Sequence, residues 1–440
     1  MAVPVLEFRP TVTPEPTAVL ASQREVQLSR LLMAWVSVGL LFMLLPGTFL
    51  GVWNLISISG RQAADSVSPA WIQAHGPAQI FGWIGSFILG IGFYSLPKLL
   101  RGRPFQLRRA WTCYALWTSG VALRWTANVY AWHWRLMLPL SAAFEILAFS
   151  IFFHAVTGHR AGDGEGKRFE SWIWVVIAAT AGLFLTLAVN LGACIYLSLR
   201  SDSPAFPHSF DQRYLVLMTW GFLVPFVWGF SARWLPVFLG LKPLRTRVLA
   251  GAVALNGVGV VAALAGEMLV SAVLLLSGAA TVFAALRLFE PIEREAKTRG
   301  VHASFPLFVR SAYVWMMIAA VLGIRATLSI NASGVWGASR HALTVGFFAT
   351  MVFGVGQRIL PAFSGMRHLY STKLMFACMA LLTIGCALRV SAEILAYQGV
   401  VAGAWSWLPV SAVTELMAVT LFAANLLISF ARPAPRVVCS

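Results

Sequence analysis

Long apolar stretches alternate with short polar ones along the chain, and twelve of them reach the ~20 residues a helix needs to cross about 30 Å of hydrocarbon. They begin near residues 31, 75, 110, 135, 172, 212, 246, 268, 306, 341, 373 and 406. Backbone groups in lipid must pair within their own segment, so each stretch is predicted to be a helix. The fold class that follows is an all-α, polytopic membrane protein with its transmembrane domain over residues 30–432. Residues 1–29 are polar and Pro-containing, without a basic segment followed by an apolar one. They read as a disordered cytoplasmic tail with no cleavable signal peptide, and residues 433–440 as a second cytoplasmic tail.

Within this pattern a motif, G-x7-G-x5-L-P, occurs three times: at Gly82, Gly90, Leu96, Pro97; at Gly221, Gly229, Leu235, Pro236; and at Gly346, Gly354, Leu360, Pro361. The copies fall on the second, sixth and tenth spans, so the period is four helices and the chain reads as three pseudo-equivalent four-helix units. RWLPVFLG (Arg233 to Gly240) matches RILPAFSG (Arg358 to Gly365). Units one and three share more: GVALRWTA (Gly120 to Ala127) matches GCALRVSA (Gly385 to Ala392), and LPLSAAFE (Leu138 to Glu145) matches LPVSAVTE (Leu408 to Glu415). Arg124 and Arg389, and Glu145 and Glu415, are therefore equivalents. The first and third motif copies also open with a histidine, His75 and His341, which the second lacks.

Composition agrees with a membrane protein: 59% of residues are hydrophobic and 11% charged. The net charge of +17 does not point to nucleic acid, because the basic residues sit in alternate loops, as in cytoplasmic loops. Lys98, Arg101, Arg103, Arg108 and Arg109 follow the second span, Lys242, Arg245 and Arg247 the sixth, and Arg367 and Lys373 the tenth. Both termini are then cytoplasmic, and His75 and His341 open inward-running helices at the outer side. Arg124 and Arg389 fall on the order of 9 Å inside the outer ends, at 1.5 Å per residue. The five cysteines, Cys113, Cys194, Cys378, Cys386 and Cys439, show no CxxC spacing, so neither a disulfide framework nor a thiolate metal site is expected.

A charge in mid-span costs roughly 2.5–3.5 kcal/mol on insertion scales, so four retained in two units call for partners, water or a cofactor. Two imidazoles as axial ligands, the glycines Gly82 and Gly346 admitting a flat macrocycle, and Arg124 and Arg389 on its propionates would together hold a haem. Arg325, near the outer end of the ninth span, reads either as a third propionate contact or as a snorkelling anchor. Glu145 and Glu415 read either as proton-accepting groups or as ion-pair partners of the two arginines. His133 and His208 read either as copper ligands or as exposed loop histidines.

HGPAQIFGWIGSFILGIGFYSLPKLLRG, His75 to Gly102, resembles the second span of haem-copper oxidase subunit I. The resemblance implies that His75 is a low-spin haem ligand, opposite one on the tenth span, where this chain has His341. That family places three more histidines for copper on the sixth and seventh spans; this chain has none there and no His-His pair. An oxygen- or nitric-oxide-reducing binuclear centre of the usual kind is not expected. HALTVGFFATMVFGVGQRILPAFSG, His341 to Gly365, resembles the NnrS family of membrane proteins, which is linked to denitrification and nitrosative stress and associated with haem and copper. That family often has a second histidine shortly after the first, where Pro77 and Gln79 stand here. The resemblance implies a bacterial inner-membrane protein holding haem b on His75 and His341 near the periplasmic face, with nitric oxide as a candidate ligand and copper as a further metal. The competing expectation is a secondary transporter, since repeats, Gly- and Pro-interrupted helices and midplane glutamates also suit alternating access.

Overall fold

The computed structural model describes residues 16–99, 104–158, 170–329, 333–364 and 368–432. The expected tails at 1–15 and 433–440 lie outside this set, as do Arg101, Arg103 and Arg367 of the basic loops. Twelve helical spans make up the described chain. The first runs through Pro16–Phe42, Met43–Phe49 and Leu50–Arg61, and the second through Pro69–Pro77, Ala78–Gly85 and Ser86–Leu99. The third to fifth are Leu107–Tyr130, Trp134–Thr157 and Ser171–Arg200. The sixth joins His208–Val216, Leu217–Leu223 and Val224–Leu239, and the seventh to ninth are Thr246–Ala265, Met268–Leu286 and Phe305–Leu328. The tenth joins Ser333–His341, Ala342–Ala349 and Thr350–Phe363; Thr372–Tyr397 and Ala404–Ala431 complete the set.

Eleven of these are long and apolar enough to cross a membrane, with mean hydropathies of 1.5 to 2.3. The third is less apolar because it carries Arg108, Arg109 and Arg124. The chain is a multi-pass membrane protein. The first helix starts at Pro16, within the segment expected to be a disordered tail, and it is tied down at this end. Glu25 accepts from Lys98 Nζ at 2.8 Å and from the Tyr94 hydroxyl at 2.5 Å, while Arg24 donates to the Phe105 carbonyl at 2.8 Å.

Successive spans are neighbours, and the twelfth packs against the first to close a ring. In each unit the third and fourth spans form a close hairpin, made possible by small residues that let the backbones approach. Gly120 faces the Ser141 carbonyl and Glu145, Gly385 faces Glu415 and the Ser411 carbonyl, and Gly278 faces the Ala252 carbonyl. The motif-bearing second, sixth and tenth spans are 78, 67 and 72% buried over their apolar windows, against 33–44% for the fourth, fifth, seventh to ninth, eleventh and twelfth. They therefore line the inside of the ring. Towards their C-terminal halves they surround a cavity of about 150 Å³ walled by Phe87, Ile91, Phe222, Phe226, Met351 and their neighbours.

Each of these three spans, and the first, contains a π-helical stretch, and in all four the fifth residue of that stretch is glycine: Gly47, Gly82, Gly221 and Gly346. A π turn widens the helix and interrupts the regular backbone ladder, an arrangement frequent at functional sites. Gly82 and Gly346 were expected to face a macrocycle. Instead, a Cβ at Gly82 would lie 2.8 Å from Cβ of Phe42, and one at Gly346 would lie 2.5 Å from Cγ of Trp315. Their missing side chains make room for neighbouring helices.

Candidate functional site

The polar residues of the ring gather in the clefts between units. One cleft lies where the third unit meets the first. There Pro46, which has no N–H to donate, and the π turn around it leave carbonyls of the first span free for side chains. Trp125 Nε1 donates to the Pro46 carbonyl at 3.2 Å, and His75 Nδ1 donates to the Gly47 carbonyl at 2.8 Å. A carbonyl only accepts, so Nδ1 carries the hydrogen and Nε2 of His75 keeps its lone pair. Gly51 lets the ring lie against the first span, since a Cβ there would stand 2.9 Å from His75 Cε1.

His341 faces the same cleft from the tenth span. Its Nδ1 donates to the Gly337 carbonyl at 2.9 Å and to Glu393 Oε2 at 3.1 Å, which again leaves Nε2 free. Glu393 Oε1 accepts from Arg389 Nη2 at 2.9 Å, and both side chains are almost fully buried, 7 and 8% exposed. His75 lies within electrostatic reach of His341 and Arg389, and Glu415 within reach of His341, Arg389 and Glu393. Nε and Nη1 of Arg389 and Oε1 of Glu415 are buried without a hydrogen-bond partner, while Nη2 of Arg340 stands 4.0 Å from Asp211 Oδ2 of the sixth span. The cleft thus assembles two imidazoles with free Nε2 atoms beside the Arg389 guanidinium, which has unused donors. An alanine at Gly337 would put its Cβ 2.6 Å from Glu393 Oε1. Gly337→Ala is expected to displace that carboxylate and move the imidazole resonances of His341, with folding retained; nuclear magnetic resonance of labelled histidine checks it.

Glu393 and Arg340 escaped the sequence reading. Glu393 stands four residues after Arg389, the spacing of a helical ion pair, but unit one has Asn128 at that position. Arg340 directly precedes His341, a local signal that was present.

The structure separates residues that were expected together. Arg124 and Glu145 lie in another cleft, where the first unit meets the second, and have no part in the histidine cleft. Equivalent residues of a threefold ring occupy equivalent clefts, one unit apart. Arg124 Nη1 donates to Asn190 Oδ1 at 2.5 Å and to Cys194 Sγ at 3.2 Å, and Asn190 Nδ2 donates to Glu145 Oε2 at 3.1 Å. Arg325 is exposed at the end of the ninth span. His133 is exposed in a left-handed conformation before the fourth span, and His208 is exposed at the start of the sixth, where its Nε2 meets Gln212 Nε2 at 3.2 Å. Among the described residues no three His, Cys, Asp or Glu side chains group as a metal site.

The two histidines also differ in register. His75 stands seven residues before Gly82, and His341 five before Gly346. Two positions turn a helix by about 200°, so the imidazoles leave opposite sides of equivalent helices. Helices that flank one cleft require this. The position of His75 is Tyr214 in the sixth span and Ser339 in the tenth; that of His341 is Pro77 and Val216.

Residues 236–430 match the model of a family described as a domain of unknown function (DUF8744), which takes in Arg340, His341, Arg389, Glu393 and Glu415. No curated protein matches the chain. A haem-copper terminal oxidase solved as a dimer by cryo-electron microscopy is similar in structure, with a TM-score of 0.61 at 14% identity over 93% of this chain and 85% of that one. At this identity the likeness shows the fold: the chain shares the helical architecture of the haem-copper terminal oxidases.

Proposed function

We propose that the histidine cleft binds a haem between Nε2 of His75 and Nε2 of His341, and that the chain is a membrane haem protein. The observation that carries this reading is the pairing of two imidazoles whose Nδ1 atoms are already committed to acceptors. Haem-ligating and metal-ligating histidines are oriented in this way. The unused donors of Arg389 suit the anionic propionates. A haem in this setting supplies a one-electron carrier. The chain's own residues hold and orient it: the Gly47 and Gly337 carbonyls set both tautomers, and Glu393 braces His341 against Arg389. Copper does not fit at His133 and His208, which are exposed and, among the described residues, have no third ligand beside them.

The resemblance of the tenth span to NnrS proteins supports a finer reading. The haem is of the b type, the protein lies in the bacterial inner membrane with both termini cytoplasmic and the histidine cleft near the periplasmic face, and its chemistry concerns nitric oxide. The basic residues Lys98, Lys242, Arg245, Arg247 and Lys373 flank the span ends opposite the histidines, in keeping with that orientation.

The optical spectrum of the purified protein tests the assignment. A Soret band is expected in the wild type, and His75→Ala and His341→Ala are each expected to remove the six-coordinate, low-spin form. A wild type without the band, or a spectrum that neither substitution alters, overturns it. Nitric oxide added to the reduced protein is expected to shift the band; an unaltered spectrum removes that ligand from the proposal.

A further inference from the structure

The cleft between the second and sixth spans is the counterpart, one unit on, of the histidine cleft. Arg124 stands where that cleft has Arg389, Glu145 where it has Glu415, Asn128 where it has Glu393, and Tyr214 where it has His75. With no imidazole at these positions, the chemistry left is that of an acid, a guanidinium and a phenol.

These groups are deeply enclosed. Arg124 and Tyr214 are 3% exposed, while Glu145, Asn190 and Cys194 are fully buried. Among the described residues no carboxylate pairs directly with Arg124; Asn190 stands between it and Glu145. Three polar atoms in the cleft have no hydrogen-bond partner: Nε of Arg124, Oε1 of Glu145 and the hydroxyl of Tyr214. Arg124, Glu145 and Tyr214 lie within electrostatic reach of one another. Two donors and an acceptor without partners are what a buried water satisfies, typically with about three hydrogen bonds.

The cleft is covered on the histidine side by the segment leading into the sixth span. Phe206 lies over the Arg124 guanidinium with 4.9 Å to its ring centroid, and it packs on Tyr214 at 5.6 Å between ring centroids. Gln73 clasps this segment from the second span, donating to the Phe206 carbonyl at 2.9 Å and accepting from its N–H at 2.7 Å. Asp211, 15% exposed in its side chain, reaches the surface; its Oδ2 stands 4.0 Å from Nη2 of Arg340 on the tenth span, and His208 and Arg124 lie within electrostatic reach of it.

We propose that this second cleft is a proton-binding site: it holds water between Arg124, Tyr214 and Glu145, and Glu145 exchanges one proton with the surface by way of Asp211. In the uptake step a proton from bulk water passes along Asp211 and the enclosed water, an O–H bond forms at Glu145, and the cleft gains one positive charge. The charged and titratable groups facing Glu145 are Arg124 from the third span, Cys194 from the fifth and Tyr214 from the sixth; those facing Asp211 are Arg124, Tyr214, His208 and, from the tenth span, Arg340. None of Arg124, Tyr214 and Glu145 hydrogen-bonds to His75 or His341; Asp211 meets the histidine cleft through Arg340, whose Nη2 stands 4.0 Å from its Oδ2.

Infrared difference spectroscopy of the purified full-length protein during a pH titration tests it. The expected result is a carboxylic-acid carbonyl band that grows on acidification, shifts in D2O, disappears in Glu145→Gln and persists in Glu415→Gln. Glu145→Asp keeps an acid in the same cleft and is expected to keep the band at an altered frequency, which guards against a Gln variant that fails to fold. Tyr214→Phe is expected to abolish an enclosed-water O–H band that shifts with H2(18)O, and to move the midpoint of the carbonyl band. Gln73→Ala is expected to speed deuterium entry. A titrating band that survives Glu145→Gln, or no titrating acid in the pH range where the protein stays folded, overturns the proposal.

Discussion

Gly182→Val is expected to prevent assembly of the ring, and Gly182→Ala to lower the thermal midpoint sharply. Gly182 of the fifth span faces the carbonyl oxygen of Gly221, and the first atom of any side chain at residue 182 would collide with it. The obstacle is backbone, so no change of rotamer relieves it. Gly221 is itself the fifth residue of the π turn in the sixth span, which leaves that segment little freedom to retreat. Overpacking a core against movable side chains costs about 1–3 kcal/mol; here the two spans must separate, at a cost above that range. Size-exclusion profile and melting of the protein in detergent provide the measurement. Gly257→Ala is the control, because nothing lies within 4 Å of a Cβ there. A Gly182→Ala protein that melts with the wild type removes this contact from the account of the fold.

Arg389→Met is expected to destabilise the protein by about 3–5 kcal/mol, the usual consequence of removing one member of a buried ion pair. Glu393 Oε1 then loses its 2.9 Å partner while the carboxylate stays buried, with His341 as its remaining hydrogen-bonding side chain. The double variant Arg389→Met/Glu393→Gln is expected to regain most of the loss, because the stranded charge is gone. Melting of the two single variants and the double variant closes the cycle. Additive losses would show that the pair is not coupled. Arg124→Met lacks a stranded carboxylate at direct contact and is expected to cost less.

The spans were legible because eleven of the twelve are long, strongly apolar runs, and lipid leaves such a run one backbone solution. The glycines of the motif were legible as a repeat, yet not as π turns: a π turn has no compositional mark, and Gly47 of the first span, outside the motif, has one as well. For the candidate site, His75, His341 and Arg389 stood out as polar residues held in apolar helices, and the structure brings them within electrostatic reach of each other. Arg124 and Glu145 stood out for the same reason, but equivalence was read as proximity. In a closed ring of three units, equivalent residues are rotated to the next cleft. Only the closure of the twelfth span on the first, a contact between residues some 350 positions apart, decides which histidine belongs with which arginine. Similarly, the Gly47 carbonyl that sets the tautomer of His75 is a backbone group, and no residue letter announces it.

The two-residue difference in register between His75 and His341 gives the ring a direction. A side chain seven positions before the glycine of its π turn points to the unit behind it, and one five positions before points to the unit ahead. Exchanging a ligand between these positions would leave its helix, its depth and its backbone unchanged and hand it to a different compartment. Ser339 illustrates this, since it occupies the position of His75 on the tenth span and donates to the Ala319 carbonyl of the ninth, away from the histidine cleft. Two compartments with different chemistry can therefore share one set of inner helices.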